Sequence, residues 1–298
     1  MAFRAIVLGA AAGGGLPQWN CGCPNCCLAR AGKIPSLTQS SLAVSADGQN
    51  WAVLNASPDI RMQIAATPQL HPTDLRESPI KSVLVTNGDI DHVAGLLSLR
   101  EQQPFDLFAT GEIHSVLADN PLFAALAADK VPRAQVTLGA AVEIVPGLTA
   151  ELFPVPGKVP LYLEGETVQT DLEGEQTVGV HLRCDGQDIY YIPGCATVTD
   201  RLAKRIKGAA MVFFDGTLWQ DDEMVLAGLG SKTGRRMGHI SMSGPEGSIA
   251  VFETLDIGEK IFVHMNNTNP VLRPDSQERA DAQAAGWRIA QDGMEIAL

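Results

Sequence analysis

The 298-residue sequence predicts an α/β fold, in which two packed sheets covered by helices and an ordinary doubly wound sheet fit the pattern equally well. Strand-like and helix-like segments alternate as far as about residue 130, and residues 131–194 are predicted to be mainly strands. Helical patterns occur near both ends and in the middle. No internal repeat, low-complexity tract or linker interrupts the chain, so a single domain spanning residues 1–298 is expected.

The strand predictions depend on short apolar runs closed by turn residues. A first strand is expected over Met1–Gly9, and the Asp47-Gly48 turn predicts a hairpin of Ser41–Ser45 with Trp51–Asn55. The later predicted strands are 79–85, 148–155, 177–184, 188–192, 211–214 and 260–263. Helical spacing is found over 93–100, 199–207 and 245–255.

Composition and charge exclude several classes of function. The net charge of −12 argues against a nucleic-acid surface, because a polyanion would be repelled. No apolar run approaches the length of a membrane span, and the N-terminus is too soon broken by glycine for a signal peptide. Four of the six cysteines lie within seven residues, which indicates thiols in a cytoplasmic protein.

Four polar side chains follow the strand predicted at 79–85. Asn87, Asp89, Asp91 and His92 lie between that strand and a helical pattern, where open α/β folds place their sites. Carboxylate, amide and imidazole groups suit a hard-to-intermediate metal ion. The alternative is an Asp/Asn-rich helix cap, but a cap needs only one such residue.

The segment C-G-C-P-N-C contains Cys21, Cys23 and Cys26. Three thiolates this close together can hold one tetrahedral zinc ion, with a fourth ligand from elsewhere in the chain. The competing interpretation is a redox pair of Cys23 and Cys26. Structural zinc is favoured because a redox pair usually opens a helix after a strand, whereas this segment follows a glycine-rich loop. Adjacent Cys27 is expected to be a bystander.

The loop after the strand resembles the H-x-H-x-D-H signature of the metallo-β-lactamase superfamily. Asp91 and His92 match the D-H pair, while Asn87 and Asp89 replace the first two histidines. The resemblance implies the superfamily's αββα sandwich and so decides between the two sheet arrangements. His264, which follows the strand at 260–263, resembles the superfamily's last metal histidine. The implied active-site metal ligands are therefore Asp91, His92 and His264, with Asp89 nearby.

Other segments depart from the superfamily pattern. P-G-K places Lys158 where a histidine is usual, and G-C-A places Cys195 where the bridging aspartate is usual. Together with Asn87 and Asp89, every ligand of the usual first zinc has changed. This loss argues against a binuclear hydrolase, which uses two metals to hold its hydroxide.

Two branches of the superfamily suggest further roles. G-H-I-S is similar to a motif of the tRNA 3′-processing endonucleases, whose histidine pairs with an acid at a strand end. The resemblance implies that Asp215 and His239 form a catalytic pair that shuttles a proton. The cysteine loop also occurs in the carbon–phosphorus lyase pathway phosphodiesterase. There the fourth zinc ligand is a histidine at the position equivalent to Asn267.

The cysteine loop combined with T-N-G-D-I-D-H, V-P-G-K and H-M-N-N-T-N-P resembles the B proteins of pyrroloquinoline quinone (PQQ) biosynthesis over essentially the whole chain. The resemblance implies either an oxygenase that hydroxylates the tyrosine ring of a glutamate–tyrosine precursor or a carrier of PQQ. Two histidines and one carboxylate are typical of non-haem Fe(II) oxygenases, so Fe2+ or another divalent metal is expected beside structural Zn2+. A metal-dependent hydrolase is the third alternative.

The expected ligand is a carboxylate-rich small molecule, either PQQ or its precursor. Lys232, Arg235 and Arg236 form a basic cluster in this acidic chain. They are candidate substrate-binding residues because arginine matches carboxylates in a bidentate way. The alternative is a solvated basic turn. The sequence leaves the oligomeric state open, a homodimer included.

Overall fold

The structure is a computed structural model that describes residues 2–165 and 168–298, so the part of the first predicted strand at Met1 lies outside the described residues. The strands are β1 Arg4–Gly9, β2 Ser41–Ser45, β3 Trp51–Leu54, β4 Ile80–Leu84, β5 Asp106–Ala109, β6 Arg133–Gln135, β7 Ala141–Val145, β8 Leu148–Pro154, β9 Val178–Cys184, β10 Gln187–Ile192, β11 Met211–Asp215, β12 Glu259–Val263, β13 Trp287–Ile289 and β14 Glu295–Ala297.

The helices connect and flank these strands. The α-helices are α1 Pro24–Arg30, α2 Ile60–Ala66, α3 Ile90–Val93, α4 Gly111–Asp119, α5 Asp200–Ile206, α6 Glu223–Leu226, α7 Gly234–Met237, α8 Ser248–Phe252 and α9 Gln277–Ala284. Short 3₁₀ helices are Pro68–Leu70, Ala94–Leu99, Pro121–Ala125, Leu161–Leu163 and Pro270–Leu272. In the described ranges, no helix has both the length and the apolar character needed to cross a membrane.

The strands form two mixed sheets flanked by helices, as the superfamily resemblance implied. The first sheet has the order β14-β1-β2-β3-β4-β5-β6, and the second has the order β13-β12-β11-β10-β9-β8-β7. In each sheet an antiparallel part continues into a parallel part, which runs from β3 to β6 in one and from β10 to β13 in the other. Every residue of β3 and of β11 is buried, as expected for strands covered on both faces.

Polar contacts join the two sheets close to the strand ends that matter for function. The amide of Asn55, which follows β3, contacts Thr86 after β4 and also lies 3.5 Å from the Tyr191 hydroxyl of β10. The backbone N–H groups of Ala12 and Met265 donate to the carbonyls of Met265 and Ala10 respectively, which links the segment after β1 to the segment after β12. Since β11 pairs with both β10 and β12, these contacts bring the carboxyl ends of β4, β11 and β12 near one another.

Two helical predictions were only partly right. The predicted helix at 93–100 is a one-turn α3 followed by a 3₁₀ helix, because the N–H of Gly95 donates to the carbonyl of Ala56 instead of continuing the α-helical ladder. The predicted helix at 245–255 is the shorter α8, because Gly247 has extended backbone angles and acts as its N-cap. Most predicted strands are present to within one or two residues.

Candidate functional site

Three strand ends meet around a cavity of about 270 Å³. The loop after β4 supplies the segment from Asn87 to His92, the end of β11 supplies Asp215 and Thr217, and His264 follows β12 directly. The side chains that line the cavity include Asn87, Asp89, Asp91, His92, Lys158, Leu161, Glu164, Thr217, Lys232, Arg236, Met237, His239, His264 and Asn266.

Asp91, His92 and His264 form a compact group whose ligand atoms all lie within 4.8 Å of one another. Nε2 of His264 is 3.1 Å from Oδ2 of Asp91, and Nε2 of His92 is 3.8 Å from the same oxygen. Nδ1 of His92 lies 2.7 Å from the amide oxygen of Asn87 and can donate to it. The opposite nitrogen, Nε2, is buried and has no hydrogen-bond partner among the described residues. A buried imidazole nitrogen beside a carboxylate and a second imidazole fits a divalent metal.

Burial and neighbouring charge set the protonation of this group. Burial lowers the pKa of His92 to about 4, which leaves the imidazole neutral and able to bind a metal. Burial alone would raise the pKa of Asp91, but the imidazoles of His92 and His264 hold it well below its usual range. Burial would likewise lower the pKa of His264, yet the hydrogen bond and charge of Asp91 raise it.

Backbone geometry positions His264. Its φ of +58° lies in the left-handed region, where a non-glycine residue is uncommon and costs free energy that the surrounding structure must offset. Its Nδ1 is 2.9 Å from the hydroxyl of Thr217, so both the backbone and the ring are fixed. The only sequence signal for Thr217 was its position two residues after Asp215 in the segment D-G-T.

Asp89 lines the cavity but lies outside the compact group formed by the described residues Asp91, His92 and His264. Burial, reinforced by the charge of Asp91, raises the pKa of Asp89. Asp89 is the N-cap residue of α3, yet within the described structure its side chain makes no capping hydrogen bond. The helix-cap interpretation of this loop therefore lacks its expected contact.

The sequence did not indicate that Asn87 orients the ring of His92.

Asp215 and His239 meet in a buried hydrogen-bond network. Nδ1 of His239 lies 2.7 Å from Oδ2 of Asp215, and that oxygen also accepts the backbone N–H of Cys195 at 2.9 Å. The other oxygen accepts the hydroxyl of Thr217 at 2.6 Å. Burial would raise the pKa of Asp215, but the charge and hydrogen bond of His239 lower it. The ring of His239 stacks on that of His264 at a centroid distance of 5.2 Å.

The three candidate substrate-binding cations are not brought together. Lys232 and Arg236 line the cavity beside the histidines. Arg235 instead lines a neighbouring cavity of about 950 Å³, where its exposed side chain lies 3.3 Å from Glu246. Arg236 instead pairs with Glu164, which also pairs with Lys158. No sequence signal had indicated Glu164.

The cysteine loop encloses a second candidate metal centre. The Sγ atoms of Cys21, Cys23 and Cys26 lie within 4.8 Å of one another. The side-chain nitrogen of Asn267 lies 3.2, 3.5 and 3.4 Å from them in that order, so the amide covers the open side of the sulfur triangle. A half-turn of the amide would present its oxygen at the same point. Three sulfurs and one amide fit a tetrahedral zinc ion.

Burial and hydrogen bonds shift the pKa values of two thiols of this loop in opposite directions. Burial would raise the pKa of Cys23, but hydrogen bonds from the backbone N–H of Cys26 and from neighbouring side chains lower it. Burial raises the pKa of the Cys26 thiol to about 11. Cys27 is exposed, and its Sγ contacts the carbonyl of Gly22 instead of the other sulfurs.

Comparison with known proteins identifies the relatives of this chain. Residues 50–265 match a family model described as a beta-lactamase superfamily domain. The chain is 60% identical over 296 residues to coenzyme PQQ synthesis protein B of Ruegeria pomeroyi, a match that covers 99% of this chain and 100% of that protein.

Solved structures agree with the sequence matches. A 1.98 Å crystal structure of Zn2+-bound PqqB from Methylobacterium extorquens has a TM-score of 0.98 and 55% identity, and covers 99% of this chain and 100% of that one. A diphosphatase of the PhnP family has a TM-score of 0.71 at 19% identity, with 100% and 98% covered, and so shares the fold alone. The chain therefore belongs to the coenzyme PQQ synthesis protein B family, within the beta-lactamase superfamily.

Proposed function

We propose that this chain acts in PQQ biosynthesis as a metal-dependent oxygenase that hydroxylates the tyrosine ring of the glutamate–tyrosine precursor. The names of its relatives support the pathway. The observation that carries the reaction class is the group of Asp91, His92 and His264, with Nε2 of His92 buried and unpartnered in the described structure. Two histidines and one carboxylate leave coordination positions open for O₂ and substrate.

Two metal sites belong to this proposal. Asp91, His92 and His264 would hold Fe2+, which when bound supplies the activation of O₂. The second site is structural zinc on Cys21, Cys23 and Cys26, with the Asn267 amide as the fourth ligand. The geometry supports both assignments because each donor set suits its ion, soft thiolates for zinc and a mixed nitrogen and oxygen set for iron.

The protein residues bind the substrate and move its protons. Lys232 and Arg236 would hold the substrate carboxylates on one wall of the cavity, with the ring directed toward His239 and the metal site. Nδ1 of His239 is occupied by Asp215, so Nε2 is the atom available to take up the proton that the ring carbon loses. Hydroxylation consumes O₂, two electrons and two protons, and releases one oxygen as water. An external two-electron reductant is therefore required.

The proton role of His239 gives a specific prediction. His239→Ala should lower kcat by about 100-fold, because positioned general acid–base groups contribute at least that much. Metal content should stay the same, because His239 is not one of the proposed ligands Asp91, His92 and His264. Turnover as a function of pH and the metal content of each variant would be measured. His71→Ala is the control, because His71 is exposed and its ring bonds only the carbonyl of Ala65 in the described structure. Loss of active-site metal from His239→Ala would make His239 a ligand and contradict the proton role.

The proposed function is tested by reconstitution. The full chain would be loaded anaerobically with Fe(II) and supplied with the glutamate–tyrosine compound, ascorbate as reductant and then O₂. We expect ring-hydroxylated product together with oxygen consumption. Tight binding of PQQ without turnover would support the carrier alternative instead. Activation by Zn(II) without O₂ would support a hydrolase.

A further inference from the structure

Lys158, Glu164 and Arg236 form an ion-pair triad in the lining of the active-site cavity. Nζ of Lys158 lies 2.9 Å from Oε1 of Glu164, and Nη2 of Arg236 lies 2.9 Å from Oε2. The side chains of Glu164 and Lys158 are only 8% and 14% exposed, whereas that of Arg236 is 39% exposed, so the carboxylate is enclosed and the arginine reaches solvent. Removing one member of such a group leaves its partners with uncompensated charge.

Separate segments of the chain build the triad. Arg236 belongs to α7. The side chain of the N-cap residue Thr233 accepts the backbone N–H of Arg236, which fixes the position of the arginine backbone. The backbone carbonyl of Lys158 accepts a hydrogen bond from the hydroxyl of Thr177 at 3.0 Å, which fixes the backbone of the lysine. Glu164 follows the 3₁₀ helix at Leu161–Leu163, where Tyr162 donates to the carbonyl of Gly88 at 2.6 Å. These contacts hold the backbone around the three residues, whereas the charged ends of Lys158 and Arg236 are held by Glu164.

The triad leaves one donor nitrogen of Arg236 without a hydrogen-bond partner among the described residues. Glu164 occupies Nη2 of Arg236, whereas Nη1 is buried and has no partner within residues 2–165 and 168–298. Lys232 adds a third cationic side chain to the lining of the cavity, whose carboxylates are Glu164, Asp89 and Asp91. The hydrogen bond of Arg236 lowers the pKa of Glu164 to about 2, and Glu164 therefore keeps its charge at neutral pH.

We propose that Glu164 is a positioning residue, which fixes Lys158 and Arg236 so that the free Nη1 edge of Arg236 receives a carboxylate of the ligand. The proposal rests on the proposed function for the identity of that ligand, a small carboxylate-rich molecule. Charge-assisted hydrogen bonds of this kind are short and strong, and the flat guanidinium suits a carboxylate. Glu164 does not touch the ligand in this account and acts only through the two cations.

Binding measurements separate this role from a general structural one. The probes are PQQ, which carries three carboxylates, and its trimethyl ester, which carries none. Both would be titrated into the zinc-loaded full chain and into Glu164→Gln. We expect Glu164→Gln to weaken PQQ binding about tenfold, the loss of one oriented charge-assisted hydrogen bond, and to leave ester binding unchanged. Glu164→Asp should recover part of the loss.

Glu246→Gln is the matched control, because Glu246 pairs with the adjacent Arg235 but is exposed and lines the other cavity. It should bind PQQ as the unmodified chain does. Arg236→Lys keeps the charge and removes the forked edge, so it should also weaken PQQ about tenfold and serves if Glu164→Gln folds poorly.

Three results would overturn the proposal. Tighter PQQ binding by Glu164→Gln would mean that Glu164 competes with the ligand for the cations. Equal weakening of PQQ and the ester would mean that the cavity had collapsed. Unchanged PQQ binding by either folded variant, Glu164→Gln or Arg236→Lys, would mean that the triad does not hold a carboxylate in the proposed way. None of these measurements requires turnover, so a failed hydroxylation assay and a failed binding assay are distinguishable.

Discussion

His264→Ala should lose the active-site metal and all measurable oxygenase activity, while the zinc of the cysteine loop remains. The variant removes one of the three proposed protein ligands, and removing even an outer-shell partner of a metal ligand lowers affinity by about 10- to 100-fold. Metal analysis of the full chain should therefore show a selective loss. The three cysteines of the loop form a separate cluster that does not include His264.

The control for this experiment is again His71→Ala, which should retain both metals. Zinc added to the Fe(II)-loaded chain should inhibit by competing for the same ligands, because zinc lies above iron in the Irving–Williams order. Unchanged turnover in His264→Ala would contradict its assignment as a ligand. Unchanged PQQ binding with no oxygenase activity in either protein would favour the carrier alternative.

Cys23→Ser should release about one zinc per chain and lower the melting temperature by more than about 5 °C. Cys23 is buried, and besides facing the other sulfurs it is the N-cap of α1, where its Sγ accepts the backbone N–H of Cys26. Zinc held by three thiolates contributes directly to folding free energy, and a few kcal/mol shifts the melting temperature by this amount in a chain of this size.

Cys27→Ser is a closely matched control for that variant. Cys27 lies in α1 directly after Cys26, but it is exposed, and its Sγ contacts only the carbonyl of Gly22 among the contacts described. It should keep its zinc and its melting temperature. Normal zinc content and melting behaviour in Cys23→Ser would show that the cysteine loop is not a structural zinc site.

Local sequence was sufficient where one short segment carries the chemistry. The turn residues after β4 and the spacing of the cysteine loop both depend on neighbours within six residues. The loop from Asn87 to His92 and the sulfur triangle could therefore be predicted from the sequence alone. Most strand boundaries could be predicted for the same reason, since apolar runs and turn residues are local signals.

Contacts between distant segments could not be predicted in this way. Glu164 and Arg236 are 72 positions apart, and Thr217 and His264 are 47 apart, so their pairing depends on how the two sheets meet. The cationic cluster shows a different limit. Arg235 and Arg236 are adjacent on α7, but successive helical residues point about 100° apart, so only Arg236 faces the cavity with the histidines.

The most direct test of the account is the origin of the oxygen atom in the product. The Fe(II)-loaded chain would turn over the glutamate–tyrosine compound with ascorbate under ¹⁸O₂, and the product would be analysed by mass spectrometry. The account predicts that each new ring hydroxyl carries one ¹⁸O atom, and that His264→Ala gives no labelled product. A hydroxyl derived from solvent water, or no hydroxylated product from a fully Fe(II)-loaded chain, would contradict it.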